Sequence, residues 1–151
     1  MSERVTEQHI EVGVVLARRR TAGMWSQESW RPIAALAAAP PLESGAFVAH
    51  AEGDDLFYAG AVTLSLHASD TAHYRDNLNS GRPAIWIAIA SGDAFPHVQA
   101  VTADPYEGEA LAEVYGEGLD AVFMPEAIVE VLSRFVAEHH VERVFIKRKR
   151  T

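Results

Sequence analysis

The chain has 151 residues, 21 acidic and 13 basic side chains and no cysteine, a length that fits one domain. A net charge of −8 argues against general nucleic-acid binding, and no apolar run nears the roughly 20 residues that span a bilayer. Without cysteine there is no disulfide, thiolate nucleophile, persulfide carrier or thiolate-ligated iron–sulfur cluster.

The polar start Met1-Ser2-Glu3-Arg4-Val5 lacks the apolar stretch of a signal peptide, so the expected compartment is the cytoplasm. Ile10 to Arg19 reads as a first strand with Val12, Val14 and Leu16 on one face. Trp30 to Leu36 is a second strand, followed by a loop around Pro40-Pro41. Phe47 to His50 and Leu56 to Tyr58 form an expected hairpin around Glu52-Gly53-Asp54-Asp55. Gly60 is expected to bulge the chain before Val62, Leu64 and Leu66 alternate along a further strand.

Ser69 or Asp70 can cap a short helix through Asn79, with Tyr74 and Leu78 on one face and Gly81 beyond its end. Pro83 to Ala90 is the clearest strand, Ile85, Ile87 and Ile89 facing one way and Trp86 and Ala88 the other. His97 to Thr102 pairs back after Ser91-Gly92-Asp93. Asp104-Pro105-Tyr106-Glu107 starts a helix: Asp caps, Pro fits the first position, and Glu lies three residues past the cap. Leu111, Val114 and Tyr115 are its apolar stripe, and Gly116 and Gly118 end it. Pro125 to His140 is the longest helix, with Ile128, Leu132, Phe135, Val136 and His139 on one face. Val144, Phe145 and Ile146 suit a last short strand. Strands in consecutive runs with few helices between them predict an α+β fold. The expected architecture is an antiparallel or mixed sheet, or a partly closed barrel, with about three helices packed on it.

Charge is unevenly placed. No Lys or Arg lies between Arg82 and Arg134, while basic residues gather at Arg18-Arg19-Arg20 and Lys147-Arg148-Lys149-Arg150. The terminal run at 147–151 reads as a solvated tail, as a partner for the acidic middle of the chain, or as a docking element for a protein or an anionic cofactor. Trp25 and Trp30-Arg31-Pro32 are core anchors or a recognition surface.

The histidines match no metal-ligand spacing, and His67 and His73 have no ligand partner four residues on. His139 and His140 suit a helix C-terminus. The capping box accounts for Asp104 and Glu107 without acid–base chemistry. No nucleophile elbow, phosphate-binding Walker loop or dinucleotide fingerprint occurs. No catalytic residue, metal or cofactor is therefore expected.

Leu16-Ala17-Arg18-Arg19-Arg20-Thr21-Ala22-Gly23-Met24 faintly resembles the N-terminal loop of molybdopterin-guanine nucleotidyltransferases. Arginines stand where that loop has phosphate-approaching glycines, and no Lys precedes Lys147, so GTP binding and GMP transfer are not expected.

A broader resemblance runs along nearly the whole chain. It is carried by Val12-Gly13-Val14-Val15 through Arg18-Arg19, Trp25 with Trp30-Arg31-Pro32, Leu64-Ser65-Leu66-His67, and Tyr74 with Asn77-Leu78. It continues in Thr102-Ala103-Asp104-Pro105-Tyr106-Glu107, Met124-Pro125, and His139-His140-Val141 through Phe145-Ile146-Lys147-Arg148-Lys149-Arg150. In this order the pieces resemble a small proteobacterial family of unknown function. Its members are often labelled molybdopterin-guanine dinucleotide biosynthesis protein A and are typically encoded beside formate dehydrogenase genes.

The resemblance implies a non-enzymatic accessory protein for maturation, cofactor delivery or stabilisation of a molybdenum-dependent formate dehydrogenase. A small molybdenum-cofactor-handling enzyme or carrier is the alternative. The implied partner is formate dehydrogenase or another of its accessory factors, with no membrane or nucleic acid involved. The residues expected to bind that partner or an anion are Trp25, Trp30, Arg31, Lys147, Arg148, Lys149 and Arg150.

Overall fold

Six consecutive buried residues, Val12 to Ala17, mark the first strand as central: both its faces are covered. This is β1 (Glu7–Arg19) in a computed structural model that describes residues 6–19, 29–92 and 95–148. It pairs antiparallel with β2 (Ser29–Leu36) on one side and β4 (Asp54–His67) on the other, and β3 (Ala46–Ala51) closes the order β2-β1-β4-β3. Pro32 lies on β2, an edge strand of this sheet, where a missing N–H is tolerated. Glu52 and Gly53 turn β3 into β4 with φ of 47° and 86°. Two consecutive left-handed residues make the hairpin turn that matches strand twist.

The second sheet is antiparallel in the order β6-β5-β7, built from β5 (Ala84–Ala90), β6 (His97–Thr102) and β7 (Leu119–Phe123). The sheets share no ladder, but β2 passes close to β7 and β4 close to β6, so both face one core. Ile85, Ile87 and Ile89 enter that core with Val12, Val14, Leu16, Leu64 and Leu66. The period-2 pattern along the clearest strand thus places its side chains as expected.

Three helices complete the α+β fold: α1 (Thr71–Leu78), α2 (Pro105–Tyr115) and α3 (Glu126–Arg148). α3 lies along α1 and buries Ile128, Leu132, Phe135 and Val136, the stripe its 3.6-residue spacing predicts. Asn77 ties the layers together. Its amide donates to the Ala84 carbonyl at 2.8 Å and the Ala103 carbonyl at 2.9 Å, and its oxygen accepts from the Ala84 N–H at 3.0 Å. One buried side chain thus joins α1 to β5 and to the segment entering α2, with its donors and acceptor all used.

Several local expectations are corrected. Leu56 to Tyr58 is not a separate strand, because β4 runs unbroken from Asp54 to His67. The expected bulge is present: Val14 pairs with Gly60 and Val15 with Tyr58, leaving Ala59 unpaired. Asp70 precedes α1 but makes no side-chain cap. In α2 the cap at Asp104 forms, yet its own N–H donates to Thr102 Oγ1 at 3.0 Å, so the reciprocal half of a capping box does not involve Glu107. Val114 is 75% exposed. The buried face of α2 centres on Gly108, which packs so close that an added β-carbon would meet the Trp86 ring at 2.6 Å. β7 was not foreseen. Val144, Phe145 and Ile146 form no strand, since the α3 backbone stays helical through Arg148. His139 and His140 therefore lie inside α3, not at its C-terminus.

Candidate functional site

Register sets up the site. Arg18 on β1 stands opposite Trp30 on β2 and Asp55 on β4, and Asp55 stands opposite His50 on β3. Directly opposed residues share a sheet face, so Trp30, Arg18, Asp55 and His50 form one cross-strand row. Arg18 continues the core-facing series Val12, Val14, Leu16. Its guanidinium lies 5.7 Å from the Trp30 ring centroid and 4.8 Å from that of Phe57, and it donates to Asp55 Oδ2 at 2.9 Å. Trp30 packs on Phe57 and on Phe95, at centroid distances of 5.4 and 5.0 Å. His50 donates from Nδ1 to Asp55 Oδ1 at 2.6 Å, since a carboxylate can only accept. Of this row, Trp30 packs against the core.

Arg19 and Arg31 lie in the two rows that flank this one, Arg19 opposite Ser29 and Arg31 opposite Ala17. Arg19 stands opposite Asp54, and both arginines reach the Asp54 carboxylate at 3.4 Å. The run Arg18-Arg19-Arg20 is thus split by strand alternation: Arg18 turns inward to Asp55, Arg19 pairs with Asp54, and Arg20 lies outside the described residues.

Arg31 also marks the seam between the sheets. Two open grooves, of about 410 and 560 Å³, meet there, and both are lined by Arg31 and by Asp120 of β7. Trp30 lines one groove. In the other, Arg82 stands 4.7 Å over the ring of Phe123, which is 68% exposed. Burial pushes the Asp120 carboxyl above its usual range, and the Arg31 charge pulls it partway back. The seam therefore presents an arginine, a carboxyl and aromatic surface side by side. Of these, the arginine and the aromatic rings are side-chain types on which protein contacts concentrate.

The sign of the Asp120 shift makes a prediction. A carboxyl whose folded-state pKa is raised favours folding while protonated, and that contribution is lost as pH rises through the raised value. Asp120→Asn should therefore be at least as stable as the parent near neutral pH, and the difference should shrink in acid. Urea unfolding at both pH values is the check. A parent clearly more stable than the variant near neutrality would mean that the attraction to Arg31 outweighs burial.

A second constellation lies where α1 and α2 begin. Asp104 Oδ1 accepts from the backbone N–H groups of Tyr106 and Glu107, at 2.9 and 3.4 Å, and Oδ2 accepts from His73 Nδ1 at 2.9 Å. The His73 ring packs on Tyr106 with centroids 4.5 Å apart, and the Tyr106 hydroxyl donates to Asp76 at 3.1 Å. That hydrogen bond is the main reason the Tyr106 hydroxyl titrates above its usual range. Tyr74 is buried beneath, its hydroxyl accepting from the His67 N–H at 2.9 Å. Burial first, and then the charges of Asp70, Asp104 and Glu107, push it to about 12.

Of the residues expected to form a contact surface, the structure brings Trp30 and Arg31 to the seam. Trp25, Lys149 and Arg150 lie outside the described residues, and of Lys147 and Arg148 the helical backbone alone is described. Asp120, Arg82 and Phe123 were missed. Arg82 and Phe123 carry no local motif, and Asp120 lies on the strand that was itself missed. Among the described residues no helix is long and apolar enough to cross a membrane.

Residues 11–150 match the family described as "Protein of unknown function (DUF3305)". No curated protein and no solved structure matches the chain.

Proposed function

The chain belongs to the DUF3305 family, and on that premise we propose that it is a non-enzymatic accessory protein that docks a protein partner through the β2–β7 seam. The system it serves is a molybdenum-dependent formate dehydrogenase, through maturation, cofactor delivery or stabilisation of that enzyme. The formate dehydrogenase assignment is supported by the resemblance carried from Val12-Gly13-Val14-Val15 through Thr102-Ala103-Asp104-Pro105-Tyr106-Glu107 to the basic end. The docking assignment is supported by one observation: Arg31 and Asp120 stand together in open grooves flanked by Trp30 and by the exposed ring of Phe123.

Small-molecule sites enclose most of their ligand, whereas these grooves lie open along the seam and suit a broad protein surface. The carboxylates of Asp54 and Asp55 beside the seam are already committed to arginines. An arginine beside aromatic surface is a common anchor of protein interfaces. Rim charges steer encounter, so association should weaken as salt rises.

The test is affinity capture from the native host with the full chain as bait, at about 50 and about 500 mM salt, spanning Debye lengths of roughly 14 to 4 Å. Subunits of formate dehydrogenase or of its accessory factors should be enriched at low salt. They should be lost with Arg31→Ala combined with Phe123→Ala, in a variant that still folds. Equal enrichment by the double variant would remove the seam as the docking surface. Enrichment of no such subunit would remove the formate dehydrogenase assignment.

A further inference from the structure

The start of α1 and the N-cap of α2 bring three donor side chains to one point. His73 Nδ1 lies 2.9 Å from Asp104 Oδ2 and 4.0 Å from Asp70 Oδ1, and one donor atom from each residue falls within 4.8 Å of the others. We propose that Asp70, His73 and Asp104 bind a divalent first-row transition ion through one imidazole nitrogen and two carboxylate oxygens. The inference is independent of the partner assigned above.

The geometry carries it. Two ligands bound at about 2.0–2.2 Å in neighbouring positions on such an ion stand roughly 3 Å apart, which is the separation His73 and Asp104 already hold. Asp70 is partly exposed, and its side-chain freedom is enough to close the remaining distance. Metal-binding carboxylates and histidines are characteristically held by an outer set of contacts that fixes their orientation. Asp104 has such a set in the two N–H groups at the start of α2, which engage Oδ1 and leave Oδ2 toward His73. His73 has one in the Tyr106 ring, itself tethered to Asp76.

Charge agrees. The ion pairs of Asp70 and Asp104 among the described residues are both with His73, and no arginine shares them. Asp104 is buried, and a buried carboxylate calls for a cation or dense hydrogen bonding.

One nitrogen and two oxygens form a borderline donor set that suits zinc, manganese, iron or nickel over softer ions. Three protein ligands leave coordination positions for water or an anionic group. On binding, the ion takes the place of the proton on His73 Nδ1: a neutral ring carries its proton on Nε2 instead, and an imidazolium releases one proton to solvent. Asp70 and His73 lie three apart on one turn, but Asp104 comes from a different helix, so no local spacing announces the site.

The experiment titrates metal-stripped full-length protein with Zn²⁺ by calorimetry, and with Co²⁺ by visible absorption. One equivalent should bind. His73→Ala and Asp70→Asn should each weaken it at least about tenfold, since even outer contacts of metal ligands cost that much. Asp104→Asn, which keeps a capping oxygen, should do the same with α2 intact. Another histidine pair is the obvious competitor: His9 and His67 both approach Glu7. His67→Ala should therefore leave the affinity unchanged. Unchanged affinity in His73→Ala, loss in His67→Ala instead, or no saturable binding by the parent would each overturn the proposal.

Discussion

Phe135→Ala should cost about 3–5 kcal/mol of folding stability, the range for emptying a fully buried aromatic site. Phe135 sits at the centre of the α3 stripe with 1% of its surface exposed. It meets Tyr74 of α1 edge-on at 6.2 Å and His139, one turn later, at 4.4 Å. Its ring is thus a buried contact between α3 and α1, and α1 in turn is tied to β5 by Asn77. Tyr74 is held at its far end by the His67 N–H, which limits its collapse into the void. Chemical denaturation should show the loss as a lower midpoint with the slope unchanged. A loss below about 1 kcal/mol would mean that α3 packs on the sheets by some other face.

Asp55→Ala is the second large effect, and its contrast with Asp54→Ala is the informative part. Asp55 is 5% exposed at the side chain and Arg18 24%, and their bond is 2.9 Å. Removing the acid takes the 2.9 Å Asp55 contact from a guanidinium wedged between Trp30 and Phe57. Breaking a buried pair from one side costs about 3–5 kcal/mol. The partial exposure of Arg18, and the cation–π contacts it keeps, place this case at the lower end, about 3 kcal/mol. Asp54 faces Arg19 and Arg31, whose side chains are 61% and 52% exposed, at a looser 3.4 Å. Exposed arginines screen such pairs to roughly 0–1 kcal/mol. Adjacent acids in one strand should thus differ by about 2 kcal/mol, and similar midpoints for the two variants would show that Arg18 does not depend on Asp55.

These contrasts show how far the residues announce their own structure. Val12, Val14 and Leu16, the isoleucines of β5 and the stripe Ile128, Leu132, Phe135, Val136 were legible because a strict period leaves one face to bury. Three misreadings share a different cause, tertiary context overriding a short pattern. Val144-Phe145-Ile146 has strand-forming residues, yet a helix already propagating from Glu126 extends through them at little cost. Leu119–Phe123 lacks the strict alternation that marks a half-buried strand, and β7 exists because β5 offers it an edge. Val114 fits a helical stripe by count, but the close approach of Gly108 to Trp86 turns α2 another way.

The sites were less legible than the fold. Trp30 and Arg31 were singled out by residue type, and they do meet at the seam. Their companions Asp120, Arg82 and Phe123 arrive from other strands and turns, which no local motif records. The run Arg18-Arg19-Arg20 read as one basic cluster, although strand alternation sends Arg18 and Arg19 to opposite faces. The donors at His73 were invisible for the same reason: Asp70 and His73 share a turn, and Asp104 joins them through folding alone.

The accessory role is tested most directly in a strain lacking the gene, with formate dehydrogenase activity and molybdenum content measured in the extract. Both should fall, and the wild-type gene should restore them. A gene carrying Arg31→Ala and Phe123→Ala should not, although its product accumulates to the normal level. Full activity and full molybdenum occupancy in the deletion strain would contradict the account.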